Sequence, residues 1–445
     1  VILLRTIIIG GVAAGMSTAS KLRRLDKDAD IIVFEKGRDL SYSGCGMPYY
    51  LGDIIKDEDS LVAKTYDDFK KENIDVRLYS EVISVNPKDK TVLVKDLKTN
   101  QETTYPYDKL LVATGTYPIR TNVEGSNEVD VLVLNQLEDM RVLKPYIKQG
   151  NEAVIIGAGY IGIELAENLV HQGMTVRIIE LQDQVLSVYD KDIANKAYDI
   201  LVKAGVLVHT GEKLVRYEKK NNKTLVYTDK DVYETDIVVE SVGVRPATAF
   251  IKDTGIDMLK NGAIITDDYC ETNMKDIYAA GDCAAYKHLL KDELAYVPLG
   301  THANKAGRVV ANNIAGIPTT FSGIVGSNII KVFDYAFAKT GIGIDEARKL
   351  NLDYDYVDIT SNHKSGYYPG VEKIFVRVVF EKGTGILKGA SLVGKSEIAP
   401  RINIMALAIT KNLTADEFSQ LDFAYAPPFS ALWDPLQVAT NQIKI

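Results

Sequence analysis

The chain has 445 residues, which at about 100–200 residues per domain suggests two to four domains and excludes a single small module. Hydrophobic residues make up 46% and charged residues 25%, an ordinary globular composition that argues against a disordered or collagen-like chain. Lys and Arg total 52 against 60 Asp and Glu, a net charge of −8; sequence-independent nucleic-acid binding needs a basic footprint, whereas a local basic pocket for an anionic small molecule fits this balance.

No apolar run approaches the ~20 residues that cross a bilayer. The opening Val1-Ile-Leu-Leu is broken by Arg5 and lacks the pattern of a signal peptide, so a soluble, cytoplasmic protein is expected, with no membrane and no nucleic acid among its partners. Three cysteines, Cys45, Cys270 and Cys283, are too few for a disulfide scaffold. With five scattered histidines and no CxxC, no metal site is expected.

The first element is the strand Thr6-Ile-Ile-Ile, which runs into Gly10-Gly11-Val-Ala-Ala14-Gly15, a helical stretch, and the strand Asp30-Ile-Ile-Val-Phe-Glu35. About 150 residues later the order recurs: Ala153-Val-Ile-Ile, Gly157-Ala-Gly159-Tyr160-Ile-Gly162, a helical stretch, and Thr175-Val-Arg-Ile-Ile-Glu180. Each reads as a βαβ unit of a dinucleotide-binding fold. The first glycine permits the tight turn, the second admits a pyrophosphate, and the third lets helix pack on strand. Phosphates then lie at the helix N-terminus, and the downstream carboxylate accepts from ribose hydroxyls. The second copy is complete, whereas the first has Val12 where the middle glycine belongs.

Between the units, Ser41-Tyr-Ser-Gly44-Cys45-Gly46-Met-Pro48 sets a cysteine among glycines, with a proline suited to a first helical turn. A thiol at a helix N-terminus gains thiolate character. A cysteine pair spaced four apart would need a partner at 40 or 50, but these are Leu40 and Tyr50, so Cys45 has no local partner. Apolar strands ending in Ala-Thr114-Gly115 and Ala-Ala-Gly281-Asp282 follow, the latter offering a carboxylate to a sugar-alcohol hydroxyl; Glu240-Ser-Val-Gly243 parallels the former. Cys270 and Cys283 flank the Gly281 strand and read as packing residues. Ser17, Lys21 and Arg24 share one face of the first helix. Beyond about Phe321 the β-branched runs predict sheet, then helices over 398–410 and 414–419, the latter with a Thr414/Glu417 capping box. This block carries no nucleotide signature and is read as an assembly domain.

On these motifs, together with Tyr425-Ala-Pro-Pro428, the chain resembles the FAD-dependent pyridine nucleotide–disulfide oxidoreductases. Within them it resembles the single-cysteine branch, which holds coenzyme A disulfide reductases, NADH oxidases and peroxidases, and polysulfide reductases. The resemblance implies an α/β chain of two Rossmann-like dinucleotide-binding domains plus a C-terminal α+β dimerisation domain. FAD would occupy 1–118 and 245–321, NAD(P)H 119–244, and dimerisation 322–445. It implies FAD at Gly10, Gly11, Ala14, Gly15, Glu35, Lys36, Thr114, Gly115, Gly281, Asp282, Leu299, Gly300 and Thr301. NADH, with NADPH as the alternative, would use Gly157, Gly159, Tyr160, Gly162, Glu164, Glu180 and Gly243. Tyr160 would cover the flavin until nicotinamide arrives, and Glu180 would repel a 2′-phosphate, with Arg177 close by.

Gly366-Tyr367-Tyr368-Pro369-Gly370 and Tyr425 point within the branch toward coenzyme A disulfide reduction. The glycine turn lacks the histidine that peroxidases carry there. The resemblance implies a homodimer whose active site is shared, with Tyr367 and Tyr425 reaching Cys45 from the other subunit. Coenzyme A, as substrate or as a mixed disulfide on Cys45, would meet Ser17, Lys21, Arg24, Ser41 and Asn304. Electrons would pass from NAD(P)H through FAD and Cys45 to coenzyme A disulfide or a related low-molecular-weight disulfide or polysulfide. Two alternatives stand beside this: an NADH oxidase cycling Cys45 through sulfenate, and a flavoprotein electron carrier to a protein partner. No rhodanese domain follows residue 445, so no fused sulfur-transfer activity is expected.

Overall fold

A computed structural model describes residues 4–291 and 293–444; the opening residues 1–3 lie outside them. The chain divides into two units. One comprises Val1–Ile119, Leu134–Val142 and Gly243–Ile324; the other comprises Arg120–Val133, Leu143–Val242 and Val325–Ile445.

The first unit is built on a parallel sheet ordered Ile277–Ala279, Lys109–Val112, Arg5–Ile9, Asp30–Phe34, Asp75–Arg77. Ile7 pairs with Ile32 on one side and Leu110 on the other. Ile7, Ile8, Leu110, Leu111 and Val112 are fully buried, which explains why these strands read as continuous apolar runs and not as alternations. The helix Ala13–Leu25 packs against Gly300–Ile314. A Cβ on Gly307 would lie 2.5 Å from Ala14 O, so the close helix contact requires glycine there. Thr18 locks it by donating its hydroxyl to Gly307 O at 2.8 Å. An antiparallel meander, Ser80–Asn86, Thr91–Asp96 and Glu102–Pro106, is added to this unit.

The second unit repeats the parallel design with Leu207–His209, Thr175–Ile179, Glu152–Ile156, Ile237–Glu240 and Val131–Leu132. Another meander, Leu214–Lys220, Lys223–Thr228 and Val232–Thr235, closes over a core that includes Ile156, Ile179, Tyr217 and Val226. The same unit holds a five-stranded antiparallel sheet, Asn328–Val332, Tyr335–Gly341, Leu387–Gly394, Lys373–Glu381 and Tyr354–Asn362. Arg377 of that sheet is 2% exposed and donates to Asp190, Asp192 and Asp358, so its charge is compensated where it is buried. The helix expected over 398–410 runs Ile398–Thr410. The next is Ala415–Ser419, with the Thr414/Glu417 capping box formed in both directions.

Candidate active site

The leading glycines sit where only glycine fits. Gly10 has φ +108° and a Cβ there would lie 2.2 Å from Ala113 O; Gly157 has φ +105° and would meet Ser241 O at 2.4 Å. The third glycines are as constrained, since a Cβ on Gly15 would lie 1.9 Å from Gly10 O and one on Gly162 2.3 Å from Gly157 O. Both carboxylates bend back onto their own turns. Glu35 accepts from Gly11 N–H and Gly37 N–H, each at 2.6 Å. Glu180 accepts from Ala158 N–H and Gln182 N–H, each at 2.7 Å. Burial raises the Glu35 carboxyl, opposed by those two N–H groups. The helices that follow, Ala13–Leu25 and Tyr160–His171, have neither a side-chain cap nor an acidic residue in the first turn, nor does Gly300–Ile314, which begins after Leu299. Their leading N–H groups are available to an anion.

Other predicted positions offer the remaining polar contacts. Thr114 Oγ1 is buried without a hydrogen-bond partner among the described residues, as is the Tyr296 hydroxyl of the same unit. Burial pushes the Asp282 carboxyl up to about 6. A Cβ on Gly115, Gly159 or Gly300 would meet nothing within 4 Å, so these backbones border open space. Gly281, at φ +89°, lies against Ala14. Its N–H donates to Tyr286 Oη at 2.8 Å, and that buried hydroxyl returns a bond to Gly281 O at 3.2 Å. Gly243 accepts from Ile119 N–H at 3.0 Å, while Lys36 is paired with Glu81 at 2.7 Å. Thr301 is exposed. In the second unit the Tyr160 hydroxyl is buried without a partner among the described residues, and burial raises it. Orphaned polar atoms, open glycine edges and uncapped helix starts fit a dinucleotide in each unit.

Cys45 is exposed, in the single turn Gly44–Gly46 that leads into the helix Met47–Leu51, with Pro48 in its first turn. The loop before it is fastened to the first glycine turn: Ser41, at φ +48°, donates its N–H to Gly11 O at 2.9 Å. Ala63 N–H donates to Ser41 O at 2.8 Å, and Ser43 N–H to Leu61 O at 2.8 Å. A Cβ on Gly46 would lie 2.3 Å from Leu61 Cδ2, so the residue after the cysteine packs tightly on Leu61, within the strap of residues 39–63 that carries Cys45. Arg141 ties the strap down, with bonds to Asp39 at 2.6 and 2.9 Å and to Glu58 at 2.7 Å. No motif pointed to Arg141, because Asp39 and Glu58 lie 102 and 83 residues away in sequence.

Ser17 and Asn304 come together, Ser17 Oγ donating to Asn304 Oδ1 at 2.6 Å. Lys21 and Arg24 lie on the same helix, the first half-buried and the second exposed. Arg23 beside them is buried and spends its guanidinium on the carbonyls of Glu72, Ala29 and Asn73, among others. In the second unit Tyr367 and Tyr425 meet hydroxyl to hydroxyl at 3.4 Å. The hydrogen bond between them lowers the Tyr425 phenol and raises that of Tyr367. Cys270 and Cys283 are fully buried, and burial raises both thiols.

A family model described as pyridine nucleotide-disulphide oxidoreductase matches residues 4–307, and the model of that family's dimerisation domain matches 328–435. The chain belongs to the pyridine nucleotide-disulphide oxidoreductase family. It is an enzyme of the α/β class, an NAD(P)H-dependent flavoprotein, and carries a dimerisation domain. It is 35% identical over 432 residues to a coenzyme A disulfide reductase of Staphylococcus aureus, covering 96% of each chain. Among solved structures, the reduced CoADR-RHD of Bacillus anthracis is 30% identical with TM-score 0.95, covering 99% of this chain and 80% of that one. A water-forming NADH oxidase of Lactobacillus brevis, bound to NADH, is 28% identical with TM-score 0.95, covering 98% and 97%. Among the described residues no helix is long and apolar enough to cross a membrane.

Proposed function

We propose that the protein reduces coenzyme A disulfide or a related small disulfide at the expense of NAD(P)H, with Cys45 as the reactive sulfur. The observation that carries this reading is the bond from Ser41 to Gly11 O, which fixes the loop of an exposed cysteine onto the turn that would hold FAD. FAD, when bound, passes an electron pair from the nicotinamide to sulfur. FAD is assigned to residues 1–118 and 245–321, NAD(P)H to 119–244, and dimerisation to 322–445. Glu180 favours NADH by repelling a 2′-phosphate.

The chain's own part is thiol exchange. The Cys45 thiolate attacks one sulfur of coenzyme A disulfide, the S–S bond of the substrate breaks, and one coenzyme A thiolate leaves. The other coenzyme A remains on Cys45 as a mixed disulfide. Two electrons and a proton then return Cys45 to thiolate and release the second thiol. Each turnover consumes one NAD(P)H and one proton and yields two coenzyme A thiols. Ser17, Asn304 and Ser41 line the approach, and Lys21 and Arg24 supply cations for the phosphates of the coenzyme. Tyr367 and Tyr425 reach Cys45 of a second copy of the chain in a homodimer and donate to the departing thiolate. A chain with only three cysteines suits a reducing cytoplasm.

The test is anaerobic NAD(P)H oxidation with and without coenzyme A disulfide. Oxidation should depend on the disulfide and fall by at least about 1,000-fold in Cys45→Ser, while reduction of the flavin by NADH persists. The likeness to the L. brevis oxidase supports a second reading, reduction of O₂ at the same centre. Oxygen uptake with NADH alone, unaffected by removing coenzyme A, would establish that reading instead.

A further inference from the structure

The strand end that carries Glu180 is held by a polar cluster that disulfide reduction leaves unused. Glu180 donates its N–H to His209 O at 2.8 Å, and its carbonyl accepts from Glu212 N–H at 3.0 Å. Gln182 O accepts from Gly211 N–H at 2.7 Å. Residues 209–212 therefore grip the backbone on both sides of the carboxylate.

His209 is in turn locked. A guanidinium offers only donors, so Arg177, 2.7 Å from His209 Nε2, makes that nitrogen an acceptor. A neutral His209 then carries its proton on Nδ1. That N–H faces Tyr233 Oη at 3.3 Å and Glu212 Oε2 at 3.4 Å. Tyr233 donates onward to Glu212 Oε1 at 2.8 Å, and Thr228 donates to the same oxygen at 2.6 Å. Glu212 is 3% exposed, and Arg177 lies over the Tyr233 ring, 4.1 Å from its centroid. Lys230 and Asp231, in the adjoining hairpin turn, are the other charges that act on the imidazole. The hydrogen bonds run in one direction, Arg177 to His209 to Tyr233 to Glu212, and the chain needs a neutral imidazole.

We propose that Arg177, His209, Tyr233 and Glu212 form a pH-sensitive positioning device for Glu180, and so set how strongly a dinucleotide bearing a 2′-phosphate is rejected. This rests on the reading of Glu180 as the ribose-binding carboxylate. A proton on His209 Nε2 turns that nitrogen into a donor facing another donor. The Arg177 bond is lost, and two cations confront each other. Burial, then Arg177, hold the imidazole below its ordinary range, so the change comes in mild acid and not at neutrality. The 209–212 segment then loosens its hold on Glu180, and discrimination against NADPH falls.

The experiment is the ratio of kcat/KM for NADH to that for NADPH, measured on the holoenzyme between about pH 8 and pH 5, in wild type, His209→Gln and Glu180→Gln. Glutamine keeps an acceptor toward Arg177 and a donor toward Tyr233 but does not titrate. On acidification the wild-type ratio should fall at least about fivefold further than the His209→Gln ratio, a comparison that cancels ionisation of the 2′-phosphate itself. Parallel profiles in the two proteins overturn the proposal, and a wild-type ratio that does not change with pH overturns it without any variant. If Glu180→Gln leaves the ratio at pH 8 unchanged, the reading of Glu180 fails and this inference with it. If Glu180→Gln lowers that ratio while His209→Gln follows wild type, this inference alone fails.

Discussion

In the first βαβ unit the residue after the leading glycine is Gly11; in the second it is Ala158. A Cβ on Gly11 would lie 2.5 Å from Leu40 Cδ2 and 3.1 Å from Glu35 Cβ, so the approach to the cysteine loop presses on this turn. Ala158 carries its methyl buried at 1% exposure, and the next residue, Gly159, borders open space where the first unit has Val12. The two turns share their leading glycines and their bent carboxylates and differ in their surroundings. One is closed in beneath the strap that leads to Cys45, which suits a resident cofactor. The other receives the same kind of backbone bond, Leu186 N–H to Ala158 O at 2.9 Å, but its opening lies at Gly159, which suits a cofactor that binds and leaves with each turnover.

The sharpest way to break this comparison is to add a methyl to each leading glycine. Gly10→Ala forces a Cβ onto Ala113 O at a backbone angle that alanine resists, and should cost about 3 kcal/mol or more. The protein should purify colourless. Gly157→Ala carries the same strain onto Ser241 O but should retain flavin absorbance while KM for NADH rises at least about tenfold. Equal loss of colour in both variants would erase the proposed division between the turns.

Asp282 sharpens the comparison next, because the corresponding edge strand of the second unit, Val131–Leu132, runs into Val133 and Leu134 with no carboxylate. The Asp282 carboxyl is raised from 3.8 to about 6 by burial, so its ionised form burdens the folded state above about pH 6. The burden shrinks as pH falls and vanishes below the unfolded value, where both states are protonated. Asp282→Asn should therefore stabilise flavin-stripped protein at pH 8 by up to about 3 kcal/mol, with no gain near pH 3, read by urea unfolding. The same variant should bind FAD more weakly. A gain that persists undiminished at pH 3 would contradict this account of Asp282.

The tyrosine pair gives the smallest effect. Tyr425→Phe should lower kcat about tenfold without loss of stability, the value of one hydrogen bond to a charged group. Tyr367→Phe removes the hydrogen bond that lowers Tyr425, so the alkaline limb of the pH–rate profile should move to higher pH. An unmoved limb would remove Tyr425 from the reaction.

Much of this was legible in the sequence because local chemistry carried it. Gly10, Gly15, Gly157 and Gly162 are imposed by contacts within their own units, and Thr414 with Glu417 needs only one helical turn. The segment 398–410 is apolar on a helical period. What was not legible depends on distant partners. The meanders over 80–106 and 214–235 are ordinary alternating strands whose pairing is set by the sheets they cover. Arg141 reads as one more surface arginine until the fold brings Asp39 and Glu58 to it. The closing helix Pro435–Thr440 did carry a signal: Asp434 caps it by accepting from Leu436 N–H at 2.9 Å, with proline in its first turn. The 3.4 Å meeting of Tyr367 and Tyr425 joins positions 58 residues apart, and no periodicity announces it.

The central claim is that Cys45 exchanges its sulfur bond with coenzyme A, and intact mass reads this directly. NADH-reduced protein exposed anaerobically to coenzyme A disulfide should gain one coenzyme A, lose it on further reduction with NADH, and gain nothing in Cys45→Ser. Wild-type protein that stays unmodified, or that carries only one or two added oxygens at Cys45 after handling in air, would contradict it.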